Sequence, residues 1–425
     1  MFILRNARHL LTLLTNYPTM MLVQDLHAKL LRVLNTFDSL ILRYPHSDLA
    51  YCHSHRKTVV MNHCLCESVS SYQLLRRITQ LVVSTGIAFA IAGLLCGNDD
   101  QSKQGQSNGV KRPTDPFHVQ VVYSPKYLIN LGGLEKLHPF DIHKYAKIHK
   151  QLVTDKAISD SHTLSPESLT PEQLRLIHSE DYLKTLKTKE MLVRYLEAPA
   201  LEFAPVNLEK AVVEPFLFAS GGTLLAARSA LNVGIGINIG GGYHHAKPTS
   251  GEGFCLFADI PISIRQLQAD GHIKKAMIVD VDVHQGNGTI RCLPNDESTF
   301  TFSMHQGEIY PIPKEVGDLD VEVPSGCQDD EFIRLLSENL QNILKDFHPE
   351  ICFIVGGCDT LKGDPLASLE MTPKGIVDRD ALIVRACVEK KIPVVLTLAG
   401  GYSKDAWKAQ YQSIKNIIDT YGVPK

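Results

Sequence analysis

From Val119 onward, short apolar runs alternate with longer stretches whose apolar positions recur at helical spacing. The runs occupy 119–123, 235–239, 276–281, 299–303, 351–355 and 393–398. In 329–347, Phe332, Leu335, Leu336, Leu340, Ile343 and Leu344 fall on one face of a helix, and 374–390 reads the same way. Alternation of this kind predicts a doubly wound α/β domain with a mostly parallel sheet. In such sheets ligands collect beyond the carboxyl ends of the strands, where loops project side chains into a shared crevice.

The polar motifs fall at those strand ends. Residues 240–245 read Gly-Gly-Gly-Tyr-His-His, 280–288 Asp-Val-Asp-Val-His-Gln-Gly-Asn-Gly, 356–359 Gly-Gly-Cys-Asp and 399–402 Ala-Gly-Gly-Tyr. Asp280, Asp282 and His284 alternate with valine, so on extended backbone their side chains share one face. Carboxylate oxygen and imidazole nitrogen suit zinc, and three protein ligands leave the open position that a hydrolytic site needs. Asp359, at another strand end, is the natural third ligand beside Asp282 and His284. The competing explanation is a buried polar network, but burying such groups without compensation costs several kcal/mol each.

His244 and His245 offer two imidazoles that titrate near neutrality, as proton transfer to an amide leaving group requires. Tyr402 follows a Gly-Gly pair whose conformational freedom permits a sharp turn, so its hydroxyl could donate to the oxyanion formed when water attacks an amide carbonyl.

Residues 1–115 are a different kind of sequence. We divide them into an extension at 1–80, an apolar segment at 81–96 preceded by Arg76 and Arg77, and a polar linker at 97–115, leaving 116–425 as the catalytic domain. The apolar segment is slightly short of the ~17–25 residues of a spanning helix, and it suits either a signal anchor with membrane association or an ordinary helix. The upstream residues are awkward for a signal, and Met61 is one candidate for the true start. Cys52, His53, His55, His63, Cys64 and Cys66 resemble a zinc cluster in composition but match no structural zinc spacing.

Composition narrows the function. The chain of 425 residues has a formal charge of only −3 and no basic stripe, which argues against direct nucleic-acid binding. Of its ten cysteines, six are scattered through the catalytic region inside apolar surroundings, as reduced buried thiols are.

The strand-end motifs, with 253–255 (Gly-Phe-Cys) and 359–364 (Asp-Thr-Leu-Lys-Gly-Asp), resemble the histone deacetylase family over about residues 119–422. Tyr-Ser-Pro-Lys-Tyr at 123–127, Gly-Leu-Glu-Lys-Leu-His-Pro-Phe-Asp at 133–141, Gln-Gly-Asn-Gly at 285–288 and Ile-Tyr-Pro at 309–311 look like its class IV branch. The resemblance implies a three-layer α/β/α fold of the arginase/deacetylase type. It also implies zinc-dependent removal of acetyl or longer acyl groups from lysine ε-amino groups in proteins such as histones.

Carried over position by position, the resemblance puts zinc on Asp282, His284 and Asp359. Tyr402 polarises the acyl carbonyl, and His245 is general base toward the attacking water and then acid toward the amine. His244 is the second imidazole, supported by Asp280, and Asn287 stands behind His245 where other branches have Asp. An amide cannot raise imidazole basicity as a carboxylate would. Gly253, Phe254 and Tyr310 match the acyl-lysine tunnel, where aromatic faces guide an aliphatic stem. Asp280, Asp282, His284, Ser303 and Met304 align with a structural monovalent-cation site that would take K+. The family's location is nuclear or cytoplasmic in eukaryotes, whereas a true signal at 81–96 would mean anchoring or export.

Three rivals remain. The arginase relatives need a further Asp two residues past the motif histidine to hold a second manganese, and here that position is Gly286. Deacylation of small molecules such as acetylpolyamines would use the same chemistry. A non-catalytic partner module would not need the intact ligands, histidines and tyrosine.

Overall fold

A computed structural model describes residues 116–424. The extension, the apolar segment, the linker and the Cys/His group at 52–66 lie outside them. Among the described residues no helix is long and apolar enough to cross a membrane.

Eight strands form one sheet: β1 His118–Val122, β2 Thr163–Leu164, β3 Gly234–Asn238, β4 Ala276–Asp280, β5 Thr299–Gln306, β6 Leu319–Val323, β7 Ile351–Val355 and β8 Val394–Thr397. Their spatial order is β2-β1-β3-β8-β7-β4-β5-β6, and every neighbouring pair is parallel. The longer helices are α1 Lys144–Thr154, α2 Glu214–Val233, α3 Asp259–Ala269, α4 Asp329–Asp346, α5 Pro373–Glu389 and α6 Ala406–Tyr421. Local chemistry sets several ends. Pro373 opens α5 while the Thr372 side chain accepts from Gly375 N, and three acidic residues at 329–331 face the positive end of α4.

Successive strand residues point to opposite sides of the sheet, and both sides are apolar. Met277, Val279, Cys352, Ile354, Val394 and Leu396 pack in one core with α1, α4, α5 and α6. Ala276, Ile278, Ile351, Phe353, Val355 and Val395 pack in the other with α2, α3 and several short helices. This is the three-layer α/β/α sandwich, and its sheet is parallel throughout.

One expectation needs correction. β4 ends at Asp280, so Asp282 and His284 lie on the loop beyond it rather than on a strand. The alternation nevertheless persists, since Val279, Val281 and Val283 all enter the same core and leave the intervening polar side chains on the other side. The edge strands β2 and β6 carried no apolar run: β2 has two residues, and β6 interleaves Asp320 and Glu322 with its apolar positions. Both edges are thus short or charged, which discourages pairing with another chain.

Phe353 is fully buried at the centre of the sheet. Phe353→Ala should cost about 3–5 kcal/mol through lost burial and the cavity left behind, measured as a lower urea midpoint.

Candidate active site

The four strands that end in polar motifs, β3, β8, β7 and β4, are consecutive in the sheet. Their loops therefore converge without long reaches, and all the carboxylates and histidines they deliver are buried.

Asp282, His284 and Asp359 each place one ligand atom within 4.8 Å of the others. His284 turns Nδ1 toward both carboxylates, 3.2 Å from Asp282 Oδ1 and 3.3 Å from Asp359 Oδ2. The remaining carboxylate oxygens are held by backbone: Gly400 N donates to Asp282 Oδ2 at 2.9 Å and Val283 N to Asp359 Oδ1 at 2.9 Å. Asp359 Oδ2 is sealed from water and has no hydrogen bond of good geometry. A Cβ on Gly357 would come within 2.0 Å of Asp282 Oδ2, and one on Gly400 within 2.1 Å of Asp359 Oδ2, so both carboxylates need glycine behind them. An orphaned buried oxygen, two O donors and one N donor fit a divalent ion such as zinc.

The charges agree with that reading. Burial and the charge of Asp282 push Asp359 up to about 6. Burial opposes a charged His284, yet the two carboxylates raise it to about 10. The group thus calls for a positive charge at its centre.

The two histidines are driven apart. His244 Nδ1 donates to Asp280 Oδ2 at 2.8 Å, and although burial opposes it, Asp280 and Asp282 raise this imidazole to about 9. His245 donates Nδ1–H to Asn287 Oδ1 at 2.7 Å, and burial together with the charges of His244 and His284 holds it well below its ordinary value. The two environments thus push neighbouring imidazoles in opposite directions, His244 up and His245 down.

Tyr402 is aimed by a pinned turn. Its backbone N and that of Ser403 donate to Asp364 Oδ2 at 2.7 and 3.1 Å. Ala399 carries φ of 45°, unusual for a residue with a Cβ. The buried Lys144 ammonium holds that turn by donating to Ala399 O and Gly400 O, each at 2.9 Å, and it lies 4.3 Å from the Phe140 ring centre.

A cavity of about 480 Å³ opens beside this group, walled by His244, His245, Gly253, Phe254 and Tyr402. Its lining runs from exposed Leu137 and Phe203 to buried Leu131, Leu201, Val212 and Phe216. Phe254, at φ 66°, stands edge-on to Tyr402 with ring centres 6.0 Å apart and to His138 at 4.5 Å. Tyr310 is 36% exposed beside the same group. Its ring stands against His245 at 5.0 Å and His284 at 6.1 Å.

The residues assigned to the cation site also assemble in part. Asp280 is the register partner of Ser303, whose hydroxyl bonds His305 Nδ1 at 2.9 Å, and Met304 is buried in the core. Sequence reasoning missed Lys144, Glu252 and Arg379. Arg379, fully buried, donates to Val281 O at 3.0 Å and Gly357 O at 2.7 Å, tying together the two loops that carry the metal ligands. A charged residue interrupting an otherwise buried helix face was the available signal for Arg379 and Lys144. Glu252 had none beyond its place beside Gly253.

A family profile described as "Histone deacetylase domain" matches residues 138–418. Histone deacetylase 2 of Arabidopsis thaliana is 39% identical over 303 residues, covering 70% of this chain and 78% of its own. An uncharacterized protein of Picosynechococcus is 34% identical over 292 residues, 69% of this chain and 95% of that one. Among solved structures, the HDA15 HD domain aligns with a TM-score of 0.58 at 23% identity, over 71% of this chain and 90% of that one, which supports the fold.

Asp359→Ala removes one donor and leaves Asp282 and His284 to hold the ion alone. The variant should lose stoichiometric zinc after dialysis, read by elemental analysis, while wild-type retains it. Equal zinc in the two would refute the ligand set.

Proposed function

Because the chain belongs to the histone deacetylase family and is a hydrolytic deacetylase, we propose that it is a zinc-dependent, class IV-type deacylase acting on acyl-lysine in proteins or peptides. The observation that carries this reading is the Asp282/His284/Asp359 group beside a neutral histidine and a tyrosine on the wall of an apolar cavity. A bound zinc ion would supply Lewis acidity toward the acyl carbonyl and make a water acidic.

The chain's own residues supply the rest. His245 takes a proton on Nε2 from the attacking water, because its Nδ1–H is committed to Asn287, and returns it to the departing lysine amine. The Tyr402 hydroxyl faces the charge that develops on the carbonyl oxygen, while His244, bonded to Asp280 at 2.8 Å, stands with its ring centre 4.0 Å from that of His245 as the second imidazole. Phe254 takes the aliphatic stem of the lysine.

The cavity also bears on the acyl group. An acetyl group needs little of its volume, and the buried apolar lining favours a longer aliphatic chain, since each buried methylene contributes about 0.8 kcal/mol. A second reading, deacylation of acetylpolyamines, draws on Glu135 and Glu197, whose carboxylates in the cavity wall would suit a cationic amine. The class IV assignment rests on the motifs at 123–127, 133–141, 285–288 and 309–311, and a histone as substrate on the names of relatives.

Tyr402→Phe should retain zinc and lower kcat by about 10²–10³, the usual cost of one oxyanion donor. A panel of acetyl-lysine, long-chain acyl-lysine and acetylpolyamine substrates, tested on the zinc-loaded full chain, should show the highest kcat/KM for the long-chain acyl peptide. Preference for the polyamine would favour the second reading, and wild-type turnover in Tyr402→Phe would sink the mechanism.

A further inference from the structure

Glu252 sits at the edge of the site with both carboxylate oxygens hydrogen-bonded. Oε1 accepts from Asn287 Nδ2 at 3.0 Å and from the Tyr310 hydroxyl, and Oε2 accepts from Lys247 Nζ. Burial opposes its ionisation, but the bonds from Lys247, Tyr310 and Asn287 bring the carboxyl below its ordinary range, so it is an anion at neutral pH.

The contact to Asn287 decides which way an amide points. An asparagine amide has nearly the same shape after a half-turn, and only its partners settle whether oxygen or NH2 faces a neighbour. With Oδ1 toward His245, the imidazole carries its proton on Nδ1 and keeps a lone pair on Nε2. A turned amide would present NH2, move the imidazole proton to Nε2 and occupy the atom that must receive a proton from water. It would also set Asn287 Oδ1 against Glu252 Oε1, two acceptors at hydrogen-bond distance. Gly288 N, which donates to Asn287 Oδ1 at 3.0 Å, favours the same orientation. Aspartate at 287 would meet the same obstacle as a turned amide, one carboxylate oxygen facing another.

We propose that Glu252 is a positioning residue that sets the Asn287 amide and, through it, the tautomer of His245, and that its carboxylate makes asparagine rather than aspartate the workable residue at 287. This rests on the deacylase reading, in which His245 receives the proton.

The test is a double-mutant cycle on the zinc-loaded full chain, comparing wild-type, Asn287→Asp, Glu252→Gln and the double variant for kcat, KM, zinc content and melting temperature. Asn287→Asp should lose at least about tenfold in kcat, equivalent to about 1.4 kcal/mol, with KM and zinc little changed. Adding Glu252→Gln should restore most of that loss, because the glutamine NH2 can donate to the new carboxylate. The melting temperature should fall and recover in the same pattern. Should Asn287→Asp fail to fold, Glu252→Ala gives the second arm, with reduced kcat at unchanged KM and zinc content. Wild-type kcat in Asn287→Asp or in Glu252→Ala, or no recovery in the double variant, would overturn the proposal. A wild-type chain without turnover on any acyl-lysine would instead sink the deacylase reading, and the melting-temperature cycle would still decide the Glu252–Asn287 contact.

Discussion

Asp282 and Asp359 are two carboxylates closed off from water with one imidazole between them. Like charges this close in a low-dielectric interior repel strongly, so the pair persists only where positive charge is supplied between them and the outer oxygens are held. Backbone N–H groups of Val283 and Gly400 hold two of the oxygens, and glycine at 357 and 400 leaves room for them. Each of those backbone groups belongs to a different strand-end loop. The carboxylate pair therefore constrains β4, β7 and β8 together, and the surrounding structure can be understood as what keeps three loops in register around it.

Two buried cations do much of that work. Arg379 reaches from α5 to carbonyls on the β4 and β7 loops, and Lys144 reaches from α1 to carbonyls on the β8 loop. Both helices belong to the layer that packs on one side of the sheet. Outward-pointing carbonyls at the ends of parallel strands would otherwise be buried without partners, at a cost of roughly 1–3 kcal/mol each. Satisfying them from a helix layer couples core packing to the aim of Tyr402, so a change deep in α1 can reach the site without touching it.

Much of this was legible beforehand because the signals were local. Strand runs, strand-end motifs and the Asp-Val-Asp-Val-His alternation are all short-range patterns, and the structure brings Asp282, His284 and Asp359 together. What escaped was non-local or contrary to pattern. β6 offers no apolar run because an edge strand tolerates charge at alternate positions. Lys144 and Arg379 are buried charges whose partners are mostly distant in sequence: backbone carbonyls for both, with the adjacent Asp380 also pairing Arg379.

The neutral residue at 287 follows from where charge can be placed. Asp280, Asp282, Asp359 and Asp364 already put four carboxyl groups in the buried site, and burial raises Asp280, Asp359 and Asp364 above the usual carboxylate range. A fifth at 287, where exposure is 1%, would add a further desolvation cost with no cation beside it. Glu252 carries its negative charge one residue further out, with its side chain 30% exposed and Lys247 paired to it. The amide between Glu252 and His245 passes on the orientation without burying the charge. With asparagine at 287 and Glu252 beyond it, the anion lies toward solvent rather than against His245.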